Sequence, residues 1–157
     1  MTEHNERSRH AVDDFIERYG MAAEQDGLPR TAGRMLALLI VEGGPFSFSE
    51  LAERLQVSRG SVSTNTRLLE PFGVIERVAK PGDRQDYFKI VADPWVRLLE
   101  AWTELQAKTE KIAESLLNDA AALSGDSRKR VGAFLSFVRT TTTEARATIA
   151  RLRQGAE

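Results

Sequence analysis

Ser58-Arg59-Gly60-Ser61-Val62-Ser63-Thr64-Asn65-Thr66-Arg67-Leu68-Leu69 carries no acidic side chain, and the neighbouring segments are best placed by working outward from it. Ser58 offers the short hydroxyl favoured at a helix N-cap. At 3.6 residues per turn, Arg59, Gly60, Ser63, Thr64 and Arg67 share one face, while Val57, Val62 and Leu69 share the other. The first face presents two guanidinium groups and short hydroxyls, the chemistry needed to approach phosphates closely and still reach base edges. The second face suits attachment to a core. A helix rich in Ser and Thr also occurs as a merely solvated surface, so the segments on either side matter.

Upstream, Ser47 with Glu50 three residues on forms a capping-box pattern that opens a helix through Leu55, and Gln56, Val57 and Ser58 make a tight turn into the next helix. Pro71 and Gly73 break that second helix near Phe72. Val74 to Ala79 and Tyr87 to Val91 are rich in β-branched and aromatic residues, and the polar Lys80-Pro81-Gly82-Asp83-Arg84-Gln85 between them reads as a hairpin tip. Helix, tight turn, helix and hairpin in that order describe a winged helix-turn-helix, whose second helix enters the major groove of DNA. The hairpin carries Arg77, Lys80, Arg84 and Lys89, with Arg84 beside Gly82 at the tip, where it can reach a minor groove. Asp83 is expected to orient Arg84. Val57 to Lys89 holds six basic and four acidic residues, an excess of two that calls for a dimer to double the contacts.

Further out, Arg9 to Asp26 places Val12, Phe15, Ile16, Tyr19, Ala22 and Ala23 at helical spacing, with Gly27 positioned to stop the helix. Pro29 opens a second helix in which Met35, Leu36, Leu38, Leu39, Ile40 and Val41 surround the axis too fully for a surface position. Gly43, Gly44 and Pro45 end it. Beyond the hairpin, Asp93 and Pro94 start a helix in which Leu98, Trp102, Leu105, Ile112, Leu116 and Leu123 follow a three/four spacing. About 30 residues of helix span about 45 Å, so part of that stripe needs a partner. Ser124 and Gly125 end this helix. Asp126 is expected to cap a last one striped by Val131, Phe134, Leu135, Val138, Ala145, Ile149 and Leu152.

Composition narrows the function. The 157 residues are 41% apolar, enough for a core, and 22 basic residues nearly balance 23 acidic ones. The absence of cysteine excludes disulfides, thiolate catalysis and cysteine-bound zinc. The polar start, Met1 to His10, reads as lacking a signal segment, and the longest apolar run, Met35 to Val41, is far short of the roughly 20 residues that cross a bilayer. A cytoplasmic location is therefore expected. His4 and His10 lie in a polar tail without a third ligand and make no metal site. No phosphate-cradling glycine pattern occurs. Glu50 with Glu53 and Glu110 with Glu114 read as solvated charges, so neither a cofactor nor catalysis is expected. Trp95 and Trp102, seven residues apart, could join Phe15 and Tyr19 in an apolar pocket for a cation, although packing between helices explains the same aromatics.

Residues 29–91, with Ser49-Glu50-Leu51-Ala52-Glu53-Arg54-Leu55, Ser58-Arg59-Gly60-Ser61-Val62-Ser63 and Pro81-Gly82-Asp83-Arg84, resemble the MarR family of bacterial transcription regulators, in particular its GbsR-like branch. The resemblance implies a mainly α protein with a small β wing. Residues 1–28 and 93–157 would supply dimerisation helices, and 29–92 the winged helix-turn-helix. It implies a homodimer on an inverted-repeat operator, acting in the family's commonest mode as a repressor. The implied contacts are Ser58, Arg59, Ser61, Ser63, Thr64 and Arg67 on the recognition helix and Arg84 at the wing, with Gly60 and Lys80 beside them. Ser58 and Ser61 lie in the first turn, where hydroxyls and backbone N–H groups can hold a phosphate. Lacking cysteine, the chain cannot sense peroxide as some members do, which leaves either binding of a small organic effector, choline-type in the GbsR-like branch, or no sensing at all. The alternative is a winged-helix module that docks proteins without sequence-specific DNA binding.

Overall fold

The computed structural model describes residues 2–119 and 123–155. They form two compact units, Met1–Pro94 and Trp95–Glu157. In the first unit, α1 (Thr2–Gln25), α2 (Arg30–Glu42), β1 (Phe46–Ser47), α3 (Phe48–Leu55), α4 (Arg59–Leu69), a 3-10 turn (Glu70–Phe72), β2 (Ile75–Ala79) and β3 (Asp86–Ile90) follow one another. The second unit consists of α5 (Pro94–Asn118) and α6 (Gly125–Gln154). The fold class is mainly helical, with one antiparallel sheet in the order β1-β3-β2.

The core of the first unit is α2. Ala32, Met35, Ala37, Leu38 and Leu39 are fully buried, joined by Leu51 and Leu55 of α3 and Val62 and Leu69 of α4. Each large side chain removed from water contributes about 1.5–3 kcal/mol. Ile40 is half-buried and Val41 exposed, so the last turn of α2 leaves the core that its composition seemed to fill. Helix α1 packs against α2 through small residues: a Cβ on Gly33 would stand 2.5 Å from the Ala23 Cβ and 3.1 Å from the Gly20 Cα. Ion pairs fasten the same elements. Glu17 of α1 accepts from Arg34 at 2.6 Å and Arg30 at 2.9 Å, and Arg54 of α3 reaches both Asp13 (2.9 Å) and Glu42 (3.0 Å).

Several boundaries differ from the sequence-based expectations. Helix α1 begins at Thr2 rather than Arg9, since the polar residues before Arg9 include no glycine or proline to break it. His10 is exposed on this helix. The two-residue β1 was not anticipated; it is too short to show alternation and exists by pairing Phe46 with Phe88 and Ser47 with Tyr87. Gly44 lets it approach, because a Cβ there would stand 2.7 Å from the Phe88 carbonyl oxygen. The two wing strands begin at Ile75 and Asp86, and their register places Val78 opposite Tyr87 and Ala79 opposite Asp86.

In the second unit, α5 stops at Asn118, short of the expected Leu123, which is not helical; residues 120–122 lie outside the described residues. Ser124, not Asp126, caps α6: its hydroxyl accepts the Ser127 N–H at 3.3 Å, and Asp126 sits in the first turn, where its charge suits the helix dipole. Arg128 donates to the Leu117 carbonyl at 2.6 Å, Arg139 pairs with Glu110 at 2.7 Å and with Glu114, and Arg153 pairs with Glu100. Falling sequence numbers against rising ones make α5 and α6 antiparallel. Glu110 and Glu114 are thus interhelical partners of Arg139 rather than solvated charges.

Candidate nucleic-acid interface

The turn between α3 and α4 is built on Gln56, whose φ of 53° is left-handed; its N–H and that of Val57 close onto Glu53 and Ala52 carbonyls. Helix α3 starts with the full capping box. The Glu50 N–H donates to the Ser47 hydroxyl (3.2 Å), and the Ser47 N–H donates to the Glu50 carboxylate (2.6 Å). Those bonds hold the Glu50 carboxyl below the usual range, so Glu50 has a structural task beyond solvation.

On α4 the expected division of faces is present. Arg59, Gly60, Thr64 and Arg67 are exposed, Ser61 and Ser63 half-buried, and Val62, Asn65, Thr66 and Leu69 buried. The hydrogen bonds refine what each hydroxyl can do. Ser58 accepts the Ser61 N–H at 3.1 Å, so the N–H of Ser61 is spent on the cap and is not open to a phosphate as expected. The Thr64 hydroxyl donates to the Gly60 carbonyl at 3.0 Å, leaving its lone pairs to accept. Asn65, which sequence inspection passed over, donates inward to the Ser61 carbonyl at 2.8 Å and braces the first turns.

The wing rearranges the charge count. Arg77 pairs with Asp86 at 3.2 Å and lies 4.0 Å from Glu70, and Lys89 pairs with Glu76 at 2.9 Å. Two of the four hairpin cations are therefore neutralised along the strands. Lys80 places its ammonium 3.7 Å from the centroid of the Tyr87 ring. Asp83 makes no ion pair with Arg84. Its carboxylate accepts the Tyr87 hydroxyl at 2.7 Å and the Gln85 N–H at 2.9 Å, and these bonds hold it below the usual carboxylate range. Within the winged-helix segment, Arg59, Arg67 and Arg84 alone among the described arginines lack a carboxylate partner; two lie on α4 and one at the wing tip.

The four aromatics considered for an effector pocket are divided between the units. Phe15 and Tyr19 lie on α1 with ring centroids 5.8 Å apart, and Trp95 and Trp102 lie on α5, Trp95 exposed and Trp102 half-buried. No helix among the described residues is long and apolar enough to cross a membrane.

Residues 26–86 match the model of the MarR family. That similarity lies within the winged-helix segment. A crystal structure of a transcriptional regulator matches with a TM-score of 0.83 at 28% identity, covering 92% of this chain and 99% of that one. The transcriptional regulator MmpR5 of Mycobacterium tuberculosis is 45% identical over 78 residues, 49% of this chain and 47% of that protein. The transcriptional repressor OpcR of Bacillus subtilis is 26% identical over 118 residues, 73% of this chain and 64% of its own length. The chain thus spans between about half and two thirds of these curated relatives. All are regulators rather than enzymes. The matched segment covers α2, α3, α4 and the wing up to Asp86, and so contains all nine residues suggested for DNA contact.

Proposed function

We propose that this MarR-type chain is a sequence-specific, double-stranded DNA-binding transcriptional repressor that works as a homodimer on an inverted repeat. The observation that carries this reading is the placement of Arg59, Arg67 and Arg84 without acidic partners, on the exposed face of α4 and at the wing tip. Exposed cations that no carboxylate engages are available to neutralise phosphates and release their counterions. Arg59 and Arg67 then contact the backbone, Ser63 and Thr64 reach base edges, and Arg84 enters the adjacent minor groove. The open N–H groups of Arg59 and Gly60 at the start of α4 suit a phosphate.

A second copy is argued from the apolar side chains that α5 and α6 leave exposed, including Leu105, Ile112, Phe134 and Phe137. Two copies about a two-fold axis set their α4 helices about 34 Å apart, one turn of DNA. The wing sequence Pro81-Gly82-Asp83-Arg84 supports the GbsR-like branch, and OpcR being a repressor supports repression.

Selection of bound duplexes from a random pool tests the reading. An inverted repeat should emerge, and Arg84→Ala should lower the slope of log affinity against log salt by about 0.9 per subunit. Failure to bind any duplex at low salt would favour the protein-docking alternative. Thr64→Ala should change which operator positions tolerate substitution; equal losses on every sequence would make it a backbone contact.

A further inference from the structure

Tyr87 is the one aromatic residue of the wing that both neighbouring strands and the wing loop converge on. It stands opposite Val78 of β2 and Ser47 of β1 and is 8% exposed. Its hydroxyl donates to Asp83, the same carboxylate accepts the Gln85 N–H, and its face seats the Lys80 ammonium. The Asp83 N–H closes the turn onto the Lys80 carbonyl at 3.1 Å, and Gly82 supplies the left-handed φ of 80° that the turn requires. Every described attachment of the loop between β2 and β3 thus runs to Tyr87 directly or through Asp83. Arg84 sits between two residues fixed in this way, while its own guanidinium has no ion-pair partner among the described residues. Below, Phe88 packs edge-on against Phe48 of α3 with centroids 5.0 Å apart, so the strand that carries Tyr87 is itself fixed to the helix-turn-helix.

We propose that Tyr87 is the positioning residue of the wing: through Asp83 it holds the backbone at Arg84 ready for DNA, and the Lys80 ammonium braces the ring rather than serving as a phosphate contact. This rests on the DNA-binding reading above. A loop ordered beforehand spares the cost of ordering it on binding. A phenol bonded to a carboxylate also makes a latch that stays closed across neutral pH, since Asp83 is held below the usual carboxylate range and Tyr87 is raised above the usual tyrosine range by the Asp83 bond.

The test uses the full chain and Tyr87→Phe, which keeps the ring and removes the hydroxyl. Without DNA, the Gln85 amide should exchange faster in the variant. In a Tyr19→Phe background, the phenolate absorbance of Tyr87 should appear at higher pH than usual and return to the usual range with Asp83→Asn. With DNA, Tyr87→Phe should weaken operator binding about tenfold, the scale of one hydrogen bond to a charged group. It should add nothing to Arg84→Ala in the double variant. Lys80→Met should leave the salt slope unchanged, whereas Arg84→Ala lowers it. Unchanged affinity in Tyr87→Phe, or a loss fully additive with Arg84→Ala, overturns the positioning role. So does a salt slope that falls in Lys80→Met as far as in Arg84→Ala. Should the unmodified protein bind no duplex, the DNA reading fails, and Gln85 exchange still decides whether the latch exists.

Discussion

The two units bury their apolar residues in opposite ways. In the first, α2 is enclosed by its own chain, and Met35, Leu38 and Leu39 have no accessible surface. In the second, α5 and α6 pair antiparallel yet leave Ile112 72% and Phe137 64% exposed. Two helices alone offer each other only one line of contact, so a stripe wider than that line remains uncovered. Ion pairs make up part of what joins them, with Arg139 and Arg153 spanning to Glu110, Glu114 and Glu100. Exposed pairs of this kind contribute at most about 1 kcal/mol each. The contrast separates a region that folds on itself from one whose exposed apolar surface is what the proposed association would cover.

Leu38→Ala should have the largest effect, a loss of about 2–5 kcal/mol in urea unfolding, because it opens a cavity where nothing can relax to fill it. A loss under 1 kcal/mol would mean that α2 is not the centre of the core. Phe137→Glu should do the reverse. Unfolding of the isolated chain should hardly change, while the dimer dissociation constant read by sedimentation rises at least about thirtyfold, as for a central interface residue. Unaltered association would remove Phe137 from the interface.

Smaller changes sharpen the account of the first unit. Ser47→Ala should cost about 1 kcal/mol by removing the α3 cap. Glu50→Ala should cost less, and its cost should depend on pH. The folded carboxyl is held below its unfolded value by the Ser47 bonds, so its contribution is complete above the ordinary carboxylate range and is lost as pH falls through the lowered value. Unfolding curves of the two proteins should therefore converge in acid and stay apart at neutral pH. Gln56→Gly should have the least effect, a gain of less than about 1 kcal/mol, since glycine adopts the left-handed turn without strain but loses more entropy on folding. A loss instead would show that the Gln56 side chain contributes more than its backbone costs.

Much of this was legible in the residues. The capping box at Ser47 and Glu50, the cap at Ser58, the buried run of α2 as far as Leu39 and the hydroxyl-rich face of α4 are local patterns, and each recurs in the structure. The strand β1 and the contact of Gly20 with Gly33 were not legible, because both depend on what lies across the chain. Asp83 illustrates the same limit at the site. Adjacency in sequence suggested that Asp83 orients Arg84, and the Arg84 backbone N–H does act on that carboxylate, but only the strand register brings the Tyr87 hydroxyl to it as well.

Periodicity and capping act over three or four residues, so the sequence by itself determined which helices form, where the tight turn falls and which face of α4 carries the arginines and hydroxyls. Partnership across elements was decided only by the tertiary structure. It neutralised Arg77 with Asp86 and Lys89 with Glu76, and left Arg59, Arg67 and Arg84 without carboxylates. The reason is range: a charge is answered by whichever group folding brings within about 4 Å, and spacing along the chain does not measure that distance.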